Sequence, residues 1–147
     1  MAAMVTQLAW GAITFQNGYE VAGQIDNMKK CLQWATDYFI AAHTAPKEFY
    51  GQVGDGDSDH AFWGRPEDMT MARPAFKIDA THPGSDLAGE TAAALAAASI
   101  FYSNIGEVDM ATEALDHAKE LFIFADENRG VYVDSIPAGN FYKYVHA

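Results

Sequence analysis

The residues best suited to chemistry crowd into one stretch: Glu48-Phe49-Tyr50-Gly51-Gln52-Val53-Gly54-Asp55-Gly56-Asp57-Ser58-Asp59-His60-Ala61-Phe62-Trp63-Gly64-Arg65-Pro66-Glu67-Asp68-Met69. Its glycines permit tight backbone turns. Its carboxylates, His60 and Arg65 offer hydrogen bonds beside flat aromatic faces. Sugars require that mixture: their hydroxyls bond to Asp, His and Arg, and their C–H faces lie on Trp or Tyr rings.

Other readings of the same residues stand beside this one. Asp55, Asp57 and Asp59 have the spacing that opens an EF-hand calcium loop. The match then fails, because His60 stands where that loop needs glycine and the twelfth position is Pro66, with Glu67 one place late. A different oxygen-ligand calcium site stays open. His60 alone reads more readily as a hydrogen-bonded structural histidine than as a catalyst, and Trp63 alone more readily as packing than as a sugar platform. Arg65 and Arg73, each before a proline, read as salt-bridged loop anchors.

These residues need a scaffold, and the rest of the chain reads as long helices. The first is expected over Ala3–Phe15, ending near Gly18. The second starts around Gly23 or Gln24, with Ile25, Met28, Leu32, Ala35, Phe39 and Ala42 on one face, and is expected to end by Pro46. Pro83-Gly84-Ser85-Asp86 is a start signal for the third, with Ser85 or Asp86 as N-cap. Its run from Leu87 to Asn104 is dominated by alanine, which predicts burial between neighbouring helices. The fourth is expected over Asp109–Arg129, with Ala111, Ala114, Leu115, Ala118, Leu121, Phe122 and Ala125 as its apolar stripe and Gly130 as its stop. The roughly 40 residues between Thr44 and Pro83 are too long for an idle loop. Phe49, Tyr50, Phe62, Trp63 and Phe76 argue that they are ordered, with Glu48–Val53 as a short strand.

With 147 residues and half of them hydrophobic, the chain fits one domain with a sizeable core. Nine basic against twenty acidic residues give a formal charge of −11. That argues against nucleic acid and against an anionic membrane surface. Cys31 is the only cysteine, so no intrachain disulfide or CxxC metal site forms, and its place on a helix reads as core. No apolar run reaches the length of a membrane span, and the first residues lack the basic start of a signal peptide.

Taken together, Tyr50–Asp57, Asp59-His60, Trp63, Arg65–Met69, Arg73–Asp79 and Pro83–Ser99 resemble, in order, the cleft segment of family 9 glycoside hydrolases. Leu8–Gly11 and Trp34–Ile40 resemble what precedes it there. The likeness covers essentially all of residues 1–147 and implies an all-α fold, part of an (α/α)6 barrel with about four long helices and a long ordered excursion. It implies an endo-β-1,4-glucanase acting on cellulose or related β-glucans with inversion, and secretion of the protein. By the same resemblance His60, Trp63, Phe141 and Tyr142 match substrate-binding positions.

The resemblance also marks departures. The Asp-Ala-Gly-Asp motif that carries the family's catalytic base is absent, and Asp55-Gly56-Asp57 occupies the place of a different, downstream segment. The general-acid glutamate and the calcium ligands of the full-length domain are expected beyond Ala147. The chain is therefore expected to be an internal piece of the domain, with no catalytic residue and no metal ligand of its own, and weak or inactive in isolation. The alternative is a non-catalytic β-glucan-binding helical domain.

Overall fold

The computed structural model describes residues 1–137 of the chain. Helix α1 (Ala2–Thr14) runs into the short α2 (Gln16–Val21), and α3 (Ile25–Ala42) follows. Strands β1 (His43–Ala45) and β2 (Glu48–Val53), helix α4 (Gly56–Ala61) and strand β3 (Ala75–Asp79) make up the excursion. Helices α5 (Ser85–Asn104) and α6 (Val108–Glu127) complete the scaffold.

Helix α5 forms the core. Its sequence, Ser-Asp-Leu-Ala-Gly-Glu-Thr-Ala-Ala-Ala-Leu-Ala-Ala-Ala-Ser-Ile-Phe-Tyr-Ser-Asn, has no single apolar stripe because it is buried on several faces. It packs chiefly against α6 and α1 and touches α3. Ala88, Ala94 and Ala98 are fully buried, and such small side chains let the backbones come close. Leu95, Phe101 and Tyr102 then meet Leu32 and Phe39 of α3 and Leu121 and Phe124 of α6 in one core. Within it the Tyr102 hydroxyl and Thr36 Oγ1 lie 2.9 Å apart and satisfy each other.

Several boundaries differ from the sequence reading for local reasons. The first helix breaks at Phe15, whose backbone leaves the helical region, and helix resumes through Gly18 to Val21; Gly23, at φ 67°, makes the turn. Helix α3 ends four residues before Pro46, because His43 is already extended and pairs with Phe49 across the sheet. Gly84 is the N-cap of α5, not Ser85 or Asp86. Ser85 Oγ donates to the Gly130 carbonyl instead, and Asp86 Oδ1 accepts from the Leu87 and Tyr132 amides. On α6 the buried stripe takes in Phe124, while Leu115 and Phe122 lie exposed beside Ile123. Cys31 is exposed on α3 rather than in the core.

The excursion is ordered, and the expected strand Glu48–Val53 belongs to a small β-sheet. Its three strands lie in the order β1-β2-β3, all antiparallel. Phe49 and Ile78, paired across β2 and β3, are buried and seat the sheet on the helices. The ladder shifts register between Tyr50 and Gln52. At Gly51, between them, an added Cβ would lie 2.5 Å from Leu87 Cδ2 and 2.7 Å from Ile136 Cδ1. Glycine there lets α5 press directly on the strand. After β3, Asp79 Oδ1 accepts from the Thr81 hydroxyl, the Thr81 amide and the His82 amide, which hold its carboxyl down to about 2.

Large apolar side chains also face outward, Trp10, Phe15, Trp34 and Phe122 among them. No helix among the described residues is long and apolar enough to cross a membrane.

Gly89 lies inside α5, and a Cβ there would meet only Ala125 Cβ, at an ordinary 3.8 Å. Gly89→Ala should therefore stabilise the chain by about 0.5–1 kcal/mol, read as a higher urea midpoint at unchanged slope.

Candidate functional site

Strand β2 delivers the chain to Gly54, whose φ of 90° turns it sharply. The Gly54 amide donates to the Pro74 carbonyl at 2.8 Å, and Gln52 Nε2 donates to the Gly54 carbonyl at 2.9 Å. Helix α4 follows at once. Asp55 caps it, its Oδ1 accepting from the Ser58 amide at 2.9 Å and the Ser58 hydroxyl at 2.7 Å; these bonds hold its carboxyl below the usual range. Arg73 reaches back over Gly54, donating from Nη1 to Asp59 Oδ1 at 3.0 Å and from Nη2 to the Val53 carbonyl at 3.4 Å. A Cβ on Gly54 would stand 2.8 Å from Arg73 Nη2. The turn therefore needs glycine both for its φ and for the guanidinium lying on it. Arg65 pairs locally with Asp68 at 3.1 Å, so both arginines are anchors of the excursion.

His60 sits near the end of α4, its Nδ1 2.8 Å from the Gly56 carbonyl. It lines a cavity of about 930 Å³ with Gln52 and Asp59 of the excursion, Tyr38 of α3, Glu90 of α5 and Tyr132 beyond α6. Trp63 is not part of this lining. Its side chain stands wholly in solvent, at 101% relative exposure, so packing does not account for it. The sequence thus places His60 on the cavity wall and Trp63 outside it, two residues past the end of α4. Phe141 and Tyr142 lie outside the described residues.

Sequence reasoning did not single out Tyr38, Gln52, Asp86, Glu90 or Tyr132 as cavity residues. Asp86 and Glu90 carried a usable signal, since an i, i+4 spacing on one helix puts them on the same face. Tyr132 carried none, because its place depends on where the chain turns after α6. The carboxylates around the cavity have structural partners: Asp59 is paired with Arg73, Asp86 holds the Tyr132 amide, and Glu90 Oε1 accepts from Thr6 Oγ1 at 3.2 Å. Asp55 is an N-cap and Asp59 half of an ion pair, so the acidic run folds as the short helix α4. Among the described residues no group of three His, Cys, Asp or Glu side chains converges on a metal position.

This chain and its fold have counterparts. A family model described as glycosyl hydrolase family 9 matches residues 1–146. Endoglucanase 1 of Oryza sativa subsp. japonica is 51% identical over 139 residues, which are 93% of this chain and 21% of that protein. Endoglucanase B of Cellulomonas fimi is 51% identical over 142 residues, 97% of this chain and 14% of that protein. The structure of an endoglucanase from the termite Nasutitermes takasagoensis superposes with a TM-score of 0.93 at 61% identity, over 99% of this chain and 34% of that one. A cellulase of C. cellulolyticum in complex with cellobiose superposes with a TM-score of 0.82 at 37% identity, over 88% of this chain and 30% of that one. The chain belongs to glycosyl hydrolase family 9. Its four long helices are part of an (α/α)6 barrel, and it spans about a fifth or less of these two endoglucanases' length.

Gly54→Ala should cost about 2 kcal/mol, from the strained φ and the displaced guanidinium. Arg73→Ala, which breaks an ion pair at an exposed site, should cost about 1 kcal/mol or less. Urea unfolding of the two variants checks the order; an equal loss in both would show that the turn tolerates a side chain.

Proposed function

We propose that this chain forms one wall of the glucan-binding cleft of an endo-acting β-1,4-glucanase that works with inversion, with His60 and Trp63 meeting glucosyl units. The observation that carries this reading is Trp63: an indole left wholly in solvent three residues after His60, which lines the cavity. A buried indole would be core; an exposed one gives a sugar ring a flat apolar platform. His60, Gln52 and Tyr38 supply polar groups at the same cavity. The cellobiose complex of the C. cellulolyticum relative supports glucan as the ligand class. An insoluble polymer is met outside the cell, so secretion accompanies the reading. Phe141 and Tyr142 are proposed as further contacts by family resemblance.

Inversion needs two carboxyl groups about 6.5–9.5 Å apart, one activating water and the other protonating the leaving oxygen. Asp59, Asp86 and Glu90 are each committed to a structural bond, so none of them is assigned either role. Calcium, which family resemblance implies for the full-length domain, is assigned no ligand among the described residues and no step. In this reading the chain binds and orients glucan and, taken alone, hydrolyses little or none of it.

Calorimetric titration of the chain with cellotetraose tests the binding half. Trp63→Ala should raise Kd about tenfold while leaving the melting temperature unchanged, because the indole packs on nothing. An unchanged Kd would remove Trp63 from the cleft. Turnover of carboxymethylcellulose by the purified chain at the rate of a full-length relative would overturn the claim that it hydrolyses little.

A further inference from the structure

His43 is the buried hinge between α3 and the sheet, its side chain 1% exposed. Its Nδ1 lies 2.7 Å from Nδ1 of His117 on α6, and the rings meet edge to face. Its other nitrogen, Nε2, is buried without a hydrogen-bond partner, and the nearest counter-charge is Glu120 Oε2 at 3.9 Å. Nothing in the cleft reading uses this pair.

Two Nδ1 atoms at that distance cannot both carry a proton; one must donate and the other accept. The Glu120 carboxylate favours a proton on His43 Nε2, which makes His43 Nδ1 the acceptor and His117 the donor. With that arrangement a proton can be added without breaking the bond only at the other nitrogen of half-buried His117. That leaves the bond intact and makes it charge-assisted. A second would have to enter the bond itself, setting two N–H groups and two charges face to face.

We propose that His43 and His117 are a positioning pair for the glucan wall: they hold the sheet on α6 with no added proton or one, and release it with two. The sheet is the right load. His43 pairs with Phe49, and β2 continues from Phe49 through Gly54 to α4 and His60. The clamp stands on its own geometry; only its effect on sugar binding rests on the reading above.

Among the described residues, the ionisable groups acting on His43 are His117 and Glu120, both from α6. Nearby, Lys47 is paired with Glu127, and Glu48 with Thr44 and Lys77. Burial first, then the His117 charge, push His43 below the ordinary histidine value, against the smaller pulls of Glu120 and the Pro46 and Ala45 backbone. A depressed folded value means that the stability is present above about pH 6.5, where an unfolded histidine is neutral, and is lost as pH falls below it.

The test uses the 147-residue chain, unsubstituted and as His117→Asn, at about pH 7.5 and about pH 5, on either side of an ordinary histidine titration. Imidazole-nitrogen NMR of the unsubstituted chain should show one ring protonated on Nδ1 and its neighbour on Nε2 at the higher pH. Only one added proton should appear on the pair at the lower. On acidification the unsubstituted chain should lose about 3 °C more in melting temperature than His117→Asn, because its unfolded state takes up two protons where the clamp takes one, while its cellotetraose affinity holds as long as one proton is on the pair. The asparagine amide can turn its oxygen to accept from a protonated His43, so the variant should lack the extra loss. Two rings titrating independently like free histidines, or equal acid sensitivity in both chains, would overturn the proposal. If neither chain binds cellotetraose at either pH, the glucan reading fails while the NMR and melting results still decide the clamp.

Discussion

The structure depends on how closely helices can approach α5. Its alanines at 88, 92, 94, 97 and 98 are buried, so α1 and α6 can both lie against it. This closeness fixes more than the core. Leu87, just inside α5, presses on Gly51 and sets the irregularity in β2. Asp86 beside it takes the Tyr132 amide and brings the segment after α6 to the same cavity. Larger side chains along this helix would move α1, α6 and the cavity wall together, since interiors at crystal-like density transmit such strain.

The excursion turns that placement into a binding surface by using its polar groups on itself. Asp55 starts a helix, Asp59 holds Arg73, and Arg73 lies on a glycine whose backbone angle reverses the chain. A run that reads as ligands for a metal or a substrate is instead largely the frame that presents His60. The frame leaves Trp63 in water, an arrangement that costs hydrophobic free energy unless something flat and partly apolar comes to cover the ring.

The sequence made the scaffold readable because helical periodicity is a local signal. Helices α3 and α6 fell where Leu32, Phe39 and Leu121 take their places in apolar stripes, α5 where a start signal opens an alanine run, and Glu48–Val53 emerged as a strand. What it hid was tertiary. Strand β1 is three residues long and exists only through its pairing with β2, His43 with Phe49 and Ala45 with Glu48. The cap residues of α5 were misplaced because Ser85 and Asp86 have partners about 45 residues away that compete with the local role. Cys31 and Leu32 are neighbours on a helix, one exposed and one buried, and composition alone cannot choose between them. The resemblance named His60 and Trp63, but that one lines the cavity and the other stands clear of it follows only from the fold of α4.

The two bridges from the sheet region to α6 are of different physical kinds. Lys47 and Glu127 meet at 2.7 Å with both side chains about half exposed, so water and salt screen their attraction and ordering two long side chains offsets much of it. His43 and His117 meet at the same distance, with His43 out of reach of solvent. A hydrogen bond there is not exchanged for one to water, and breaking it leaves a buried nitrogen unsatisfied, the costlier outcome. Of these two bridges the imidazole pair is therefore the stronger anchor. The sheet's attachment to α6 is then insensitive to ionic strength and sensitive to proton count, the reverse of what the surface ion pair would give.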